Sequence, residues 1–255
     1  MDKVPAVTRA VAVLGVLAAH PAPVPAASIA RELALPRSTV YQLLTALEQA
    51  ALVTHLPEER AYGLGVGVFE LGSAYLRNQP LERMSRPLLV RLVAGTRATA
   101  HLGVLHGAET LFLLKEQPPH PVTLVTDVGV RLPAHLTAVG RAMLAHLPPA
   151  QVRALFPSGA AFVDRTGAGP RSLPELRSML AVERRRGWAE EDGHVTVGLA
   201  SVAAPAFDHL GRPVAAIGVT FRSEGDSGEE RAALAVAVRQ SAAALTRRMS
   251  GRPPA

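Results

Sequence analysis

"LALPRSTVYQLLTALEQAALV", residues 33–53, decides how the first part of this 255-residue chain is read. Val40, Leu43, Leu44 and Leu47 recur at i, i+3, i+4 and i+7, the stripe of a helix that buries one face. Pro36 suits the first turn of that helix, where its missing N–H costs nothing. The opposite face and the leading turn carry Arg37, Ser38, Thr39, Tyr41, Gln42 and Thr45. Free N–H groups and hydroxyls at a helix start suit phosphates, while Arg and Gln make paired contacts to guanine and adenine edges. The leucines and the polar leader are therefore opposite sides of one helix, fitted both to a core and to a major groove. Taken by spacing alone, an ordinary capped amphipathic helix in a bundle fits as well.

The flanks favour the groove. Upstream, a helix over about Ala6–Ala19 sets Val7, Val11, Leu14 and Leu17 on one face. A second helix follows, with Ser28 near its start and Ile29, Ala30 and Leu33 facing inward, and a tight turn at Ala34-Leu35 leads into the third. Downstream, "LVTHLPEERAYGL" reads as two short strands around Pro57-Glu58-Glu59-Arg60, a hairpin. "GVGVFELGSAYLRN" then makes a connecting helix from about Val66 to Arg77, ended near Asn78 and Pro80. Helix, helix, turn, helix and hairpin is the order of a winged helix-turn-helix. The first 28 residues also imitate a secretory signal, with a basic start and an apolar stretch from Ala10 to Ala19. That stretch is rich in alanine and follows Asp2, and no run reaches the roughly 18 apolar residues of a membrane span, so a cytoplasmic protein is expected.

Beyond residue 80 helices alternate with strands. "HLGVLH" and "TLFLLKE" flank a turn at Gly107-Ala108, and "VTLVT" follows as a further strand. Helices are expected over about Pro133–Leu147 and Leu173–Arg186. "LASVAAPAFD" and "PVAAIGVTF" form a hairpin, and a last helix from about Gly228 to Met249 buries Leu234, Val238, Leu245 and Met249. Hairpin strands with helices between them argue for an antiparallel α+β sandwich. "PSGAAFVDRTGAGP" is a loop without assignable chemistry.

Composition narrows the chemistry. The chain has no cysteine, which excludes disulfides, thiol catalysis and thiolate metal sites. The formal charge is +6, yet residues 1–65 balance five basic groups (Lys3, Arg9, Arg31, Arg37, Arg60) against five acidic ones (Asp2, Glu32, Glu48, Glu58, Glu59). Bulk charge is thus no argument for nucleic acid; only the placement of individual side chains is. His101, His106, His135 and His194, with Glu190, Glu191 and Asp192, are the residues a hydrolytic or metal site would use. None has a metal spacing such as H-E-x-x-H, and His101 and His106 face opposite sides of their strand. No G-x-S-x-G elbow, phosphate loop or dinucleotide fingerprint occurs, so no cofactor, no metal and no enzymatic activity are expected. The competing expectation is a small-molecule-binding or hydrolytic domain carrying a vestigial helix-turn-helix. Arg184-Arg185-Arg186 reads as a solvated helix end.

Four blocks in order resemble the IclR family of bacterial transcription regulators, over about residues 5–249. They are "LPRSTVYQLLTALEQAALV", "ERAYGLGVGVFELG", "RLPAHLTAVGRAMLA" and "RRGWAEEDGHVTVGLASVAAPAFDHLGRPVAAIGVT". The resemblance implies a winged helix-turn-helix at 1–65, a linker helix at 66–79 and a GAF-like effector-binding domain at 80–255. It implies a repressor more than an activator, dimeric through the DNA-binding domains and able to pair into tetramers on a near-palindromic double-stranded operator. DNA contacts fall to Ser28, Arg37, Ser38, Thr39, Tyr41, Gln42, Thr45 and Arg60. Effector contacts fall to Leu124, Leu132, Ala138 and Val139 on one side, and to Glu191, Leu199, Ser201, Gly218 and Thr220 on the other. By their own chemistry, Ser201 and Thr220 fit equally as strand hydroxyls bonded to neighbours, and Glu191 as a solvated loop charge. A small organic acid is the effector class the family implies, against which an unpaired Glu191 would act.

The departures are informative. Ala34 and Ala51 stand where the family has glycine; were the backbone left-handed there, each would cost roughly 1 kcal/mol or more. Gln42 replaces an arginine and shifts readout toward adenine. Ala61 replaces the arginine before the wing tyrosine, with Arg60 one place earlier. Ser201, Glu191 and Gly218 stand for cysteine, aspartate and serine.

Overall fold

A computed structural model describes residues 4–77, 80–224 and 228–254. The chain divides into two compact units, 1–79 and 80–255. The expected helix end near Asn78 lies outside the described residues.

In the first unit α1 (Pro5–Ala19), α2 (Ala26–Glu32) and α3 (Arg37–Gln49) enclose one apolar core, followed by the hairpin β1 (Val53–Leu56) and β2 (Ala61–Leu64), then α4 (Val66–Arg77). Val13, Val16, Leu17, Ile29, Ala30, Val40, Leu44 and Leu47 form that core; Leu33 and Leu43 pack at its margin. The face expected of α1 is turned: Val7 and Val11 are exposed, 60% and 62%. Valine and alanine surround this helix, so periodicity alone could not say which side the leucines of α3 would claim. The stretch that imitated a signal sequence is this core helix.

Both helix ends flanking the reading helix close in the same way. Leu35 N–H bonds to the Ala30 carbonyl and Ala34 N–H to that of Arg31, while Leu52 N–H bonds to Leu47 and Ala51 N–H to Glu48. That pattern requires a left-handed residue just past the helix, and Ala34 and Ala51 supply it with φ of 52° and 56°. The strain expected from alanine in place of glycine is therefore present. Backbone bonds between Val24 and Tyr62 add a third strand segment to the wing.

The second unit opens with α5 (Pro80–Thr96), a helix not assigned from the sequence; Pro87 lies inside it, where proline ordinarily ends a helix. A six-stranded antiparallel sheet follows, in the order β5-β4-β3-β8-β7-β6. Its strands are β3 (Thr99–His106), β4 (Glu109–Glu116), β5 (Arg131–Pro133), β6 (Ala189–Asp192), β7 (Leu199–Phe207) and β8 (Pro213–Arg222). One face packs on α5 and α9 (Gly228–Arg248) through Leu89, Leu102, Val202, Ile217, Val238 and Leu245. The other face receives α6 (Ala138–Leu144), with α7 (Pro149–Leu155) and α8 (Leu173–Arg186) beyond it. This is the expected antiparallel α+β arrangement.

Three local expectations fail. "VTLVT" is not a strand: the β4 edge is taken by β5 and by Phe112 N–H to Val130, leaving no partner for residues 122–126. The helix expected from Pro133 begins only at Ala138, since Pro133 ends β5 and Thr137 caps α6 by accepting the Gly140 N–H. "AEED" is the edge strand β6, not a solvated loop. In α9, Val238 and Leu245 are buried, with Leu234 and Met249 at the margin.

Small residues let α6 lie close on the sheet. A Cβ at Gly103 would come to 2.8 Å from Val139 Cγ1, and one at Gly218 to 3.0 Å from Val139 Cγ2. Gly218, in place of the family's serine, is thus matched to Val139.

Candidate functional sites

Around α3, burial of Val40, Leu44 and Leu47 turns Arg37, Ser38, Tyr41, Gln42 and Thr45 outward, all exposed. Thr39 is half-buried beside them. Pro36 occupies the cap position, so no side chain satisfies the first-turn N–H groups of α3 and they remain open to an acceptor. Ser28, half-buried on α2, accepts a bond from Arg31 at 3.3 Å. Arg60 closes the wing turn with φ 49°, bonding back to the Pro57 carbonyl. At the wing tip it is accompanied by exposed Glu58 and Glu59, which oppose phosphate approach.

In the second unit a narrow cavity, partly open to solvent, lies between the sheet and α6. All nine expected effector residues line it: Leu124 from the loop before β5, Leu132 from β5, Ala138 and Val139 from α6, and Glu191, Leu199, Ser201, Gly218 and Thr220 from β6, β7 and β8. The sequence reading missed His101, Phe112, Thr126 and Thr137, which also line it. Strand parity was the available signal for His101: it pairs with Gly218 across β3 and β8 and so shares its face.

The polar groups form one row across neighbouring strands, because Glu191 pairs with Ser201 and Ser201 with Thr220 in register. Ser201 Oγ donates to Glu191 Oε1 at 2.7 Å and lies 3.0 Å from Thr220 Oγ1. Glu191 Oε2 accepts the His194 N–H at 3.0 Å. Burial pushes the Glu191 carboxyl above its ordinary value, against the bonds from Ser201 and His194, which lower it. His101 is buried edge-on to Phe112, and neither ring nitrogen has a hydrogen-bond partner. Burial, helped by Lys115, lowers its pKa to about 3, so the ring is neutral.

Behind α6, Arg141 is fully buried and holds this half of the domain together. It bonds Glu183 at 3.0 Å, the His135 carbonyl at 3.0 Å, His194 Nδ1 at 3.2 Å and the Glu190 carbonyl. The arginine triplet ends α8, where Arg186 stacks on Trp188 at 3.7 Å and bonds Glu190. No cluster of three or more metal-binding side chains occurs among the described residues. Nor, among them, is any helix long and apolar enough to cross a membrane.

Residues 6–57 match the family profile described as the IclR helix-turn-helix domain, and residues 73–247 that described as the bacterial transcriptional regulator IclR C-terminal domain. The glycerol operon regulatory protein of Streptomyces coelicolor is 33% identical over 94% of this chain and 94% of its own length. The transcriptional repressor IclR of Escherichia coli is 29% identical over 86% of this chain and 80% of its own. Among solved structures, an IclR homolog from Microbacterium hydrocarbonoxydans complexed with 4-hydroxybenzoate superposes with a TM-score of 0.81. It is 23% identical and covers 96% of this chain and 99% of that one.

Proposed function

Because the chain belongs to the IclR family of bacterial transcriptional regulators, we propose that it is a repressor whose hold on a near-palindromic DNA operator is set by a small molecule in the cavity beneath α6. The observation that carries the DNA half is the outer face of α3. Arg37, Ser38, Tyr41, Gln42 and Thr45 stand clear of a helix whose other side is committed to the core. In this reading Thr39 and Ser28 contact phosphates from the flank and Arg60 from the wing. Repression is supported by the name of the Escherichia coli relative, and a small effector by the 4-hydroxybenzoate held by a protein of the same fold. The cavity, apolar with a few convergent polar groups, has the character of a small-ligand site.

Dimerisation, and pairing into tetramers, belong to the same proposal. The outer sides of α1 and α4 expose Val7 and Val11, and Val66, Phe69 and Leu71, with Phe69 74% exposed. Such apolar faces on a small unit fit association with a second copy. A DNA partner is what supports a cytoplasmic location in this reading. Catalysis has no support in the cavity: Ser201 is bonded to a carboxylate and not to His101, and the relatives named above are regulators.

Footprinting on the DNA upstream of the protein's own gene tests the reading. Two protected half-sites should appear, about one helical turn apart or a multiple. A single protected half-site, or a monomer in sedimentation at micromolar concentration, contradicts it. A ligand shifts DNA affinity only by its preference for one conformation. Ser201→Leu should therefore abolish the ligand response and leave ligand-free affinity within a few fold.

A further inference from the structure

We infer that the cavity selects a small uncharged ligand that donates a hydroxyl proton to the Thr220–Ser201–Glu191 row, and that it discriminates against carboxylates. This rests on the effector reading and narrows it against the organic acid that the family resemblance implies.

The direction of the hydrogen bonds carries the argument. Ser201 has one hydroxyl proton, and Glu191 Oε1 takes it at 2.7 Å. With Glu191 ionised, the 3.0 Å contact between Ser201 and Thr220 is then Thr220 donating to Ser201. Protons along the row all point toward Glu191, so the lone pairs of Thr220 remain as the row's open end. A hydroxyl or amide N–H can donate there, whereas a carboxylate oxygen meets acceptors and a buried charge of its own sign. Neutral His101 adds one donor and one acceptor, both without a partner in the protein, and a hydroxyl can pair with either of them.

No arginine or lysine lines the cavity among the described residues. The nearest buried cation, Arg141, is committed to Glu183 and to backbone carbonyls behind α6. Lys115, the cross-strand partner of His101, has its ammonium 3.7 Å from Asp127. The dipole of α6 is a weak counterweight, since that helix spans only seven residues and is already capped by Thr137. An anionic ligand would thus share a desolvated space with Glu191, with no uncommitted cation among the described residues that line it.

Calorimetry on the full chain at pH 7 tests this with matched pairs: glycerol against glycerate, lactamide against lactate, and 4-hydroxybenzamide against 4-hydroxybenzoate. The neutral member of whichever pair binds should be favoured by at least about tenfold, well below the roughly thousandfold of two like charges about 4 Å apart at an effective dielectric near 20. Glu191→Gln should shrink that preference, and Ser201→Leu should abolish the binding. An anion that binds as tightly as its neutral partner in the wild type overturns the inference and leaves the effector reading standing. Equal discrimination by wild type and a folded Glu191→Gln also overturns it. Failure of every pair to bind, or binding untouched by Ser201→Leu, counts against the effector reading as well. The wild-type comparison decides alone if the Gln variant does not fold.

Discussion

The winged unit keeps its working side chains outside a helix whose inner face is spent on the core, while the second unit keeps its own between a sheet and the helix packed on it. In α3 the residues proposed to read DNA and the residues that stabilise the core lie on opposite sides of one cylinder, so either set can change without the other. In the cavity Val139, Gly218 and Glu191 are at once packing and lining. Function and stability are separable in the first unit and coupled in the second.

The sharpest strain on that contrast is Arg141→Met. It leaves Glu183, 4% exposed, without its cation, and should cost the second unit about 3–5 kcal/mol in urea unfolding. Adding Glu183→Leu should recover much of the loss, because a buried ion pair is often replaceable by apolar side chains. A single mutant as stable as wild type would mean that the network is not what ties α6 to α8.

Acid should separate the two units next. His101, His146 and His194 have folded-state pKa values lowered from 6.5 to about 3, 4 and 4, chiefly by burial. Above pH 6.5 they are neutral folded or unfolded and contribute nothing to the pH dependence. Below it the unfolded chain binds protons first, so stability falls as pH drops from about 6.5 toward 4. Glu183 and Glu191, raised by burial, take up protons in the folded state and soften the loss near its acid end. All five groups lie in the second unit, and His146→Phe should make the slope shallower. An unfolding midpoint that is flat from pH 7 to 4.5 would contradict this burial.

A smaller effect belongs to the winged unit alone. Ala34→Gly and Ala51→Gly relieve left-handed strain at exposed positions, worth about 1–2 kcal/mol. Each gives back about 0.4–1 kcal/mol in unfolded-chain entropy. A net gain of about 0.5 kcal/mol is expected at each site, readable as a raised melting temperature with unchanged DNA affinity.

The same contrast explains what the sequence revealed. α3 and the hairpin were legible because a helix with one buried face writes its period into nearby residues. Even there, α1 carried apolar side chains all round, and the buried side had to wait for its partner. The cavity depends on strand pairing over long separations, as between Glu191 and Ser201 or His101 and Gly218. Periodicity does not encode that register, so its nine expected residues came from family resemblance. His101, with no motif around it, was placed on a strand but not in the site. β6 looked like a solvated acidic loop because two glutamates and an aspartate hide a strand whose alternate residues, Ala189 and Glu191, are buried.

The most direct measurement of the central claim is operator affinity by fluorescence anisotropy, at one fixed salt concentration, for wild type, Arg37→Ala and Gln42→Ala, beside their melting temperatures. If the outer face of α3 reads DNA, each substitution should weaken specific binding by about 1–3 kcal/mol. Melting should stay within a degree or two, because both side chains are exposed. Operator affinity within twofold of wild type in both mutants would contradict the account.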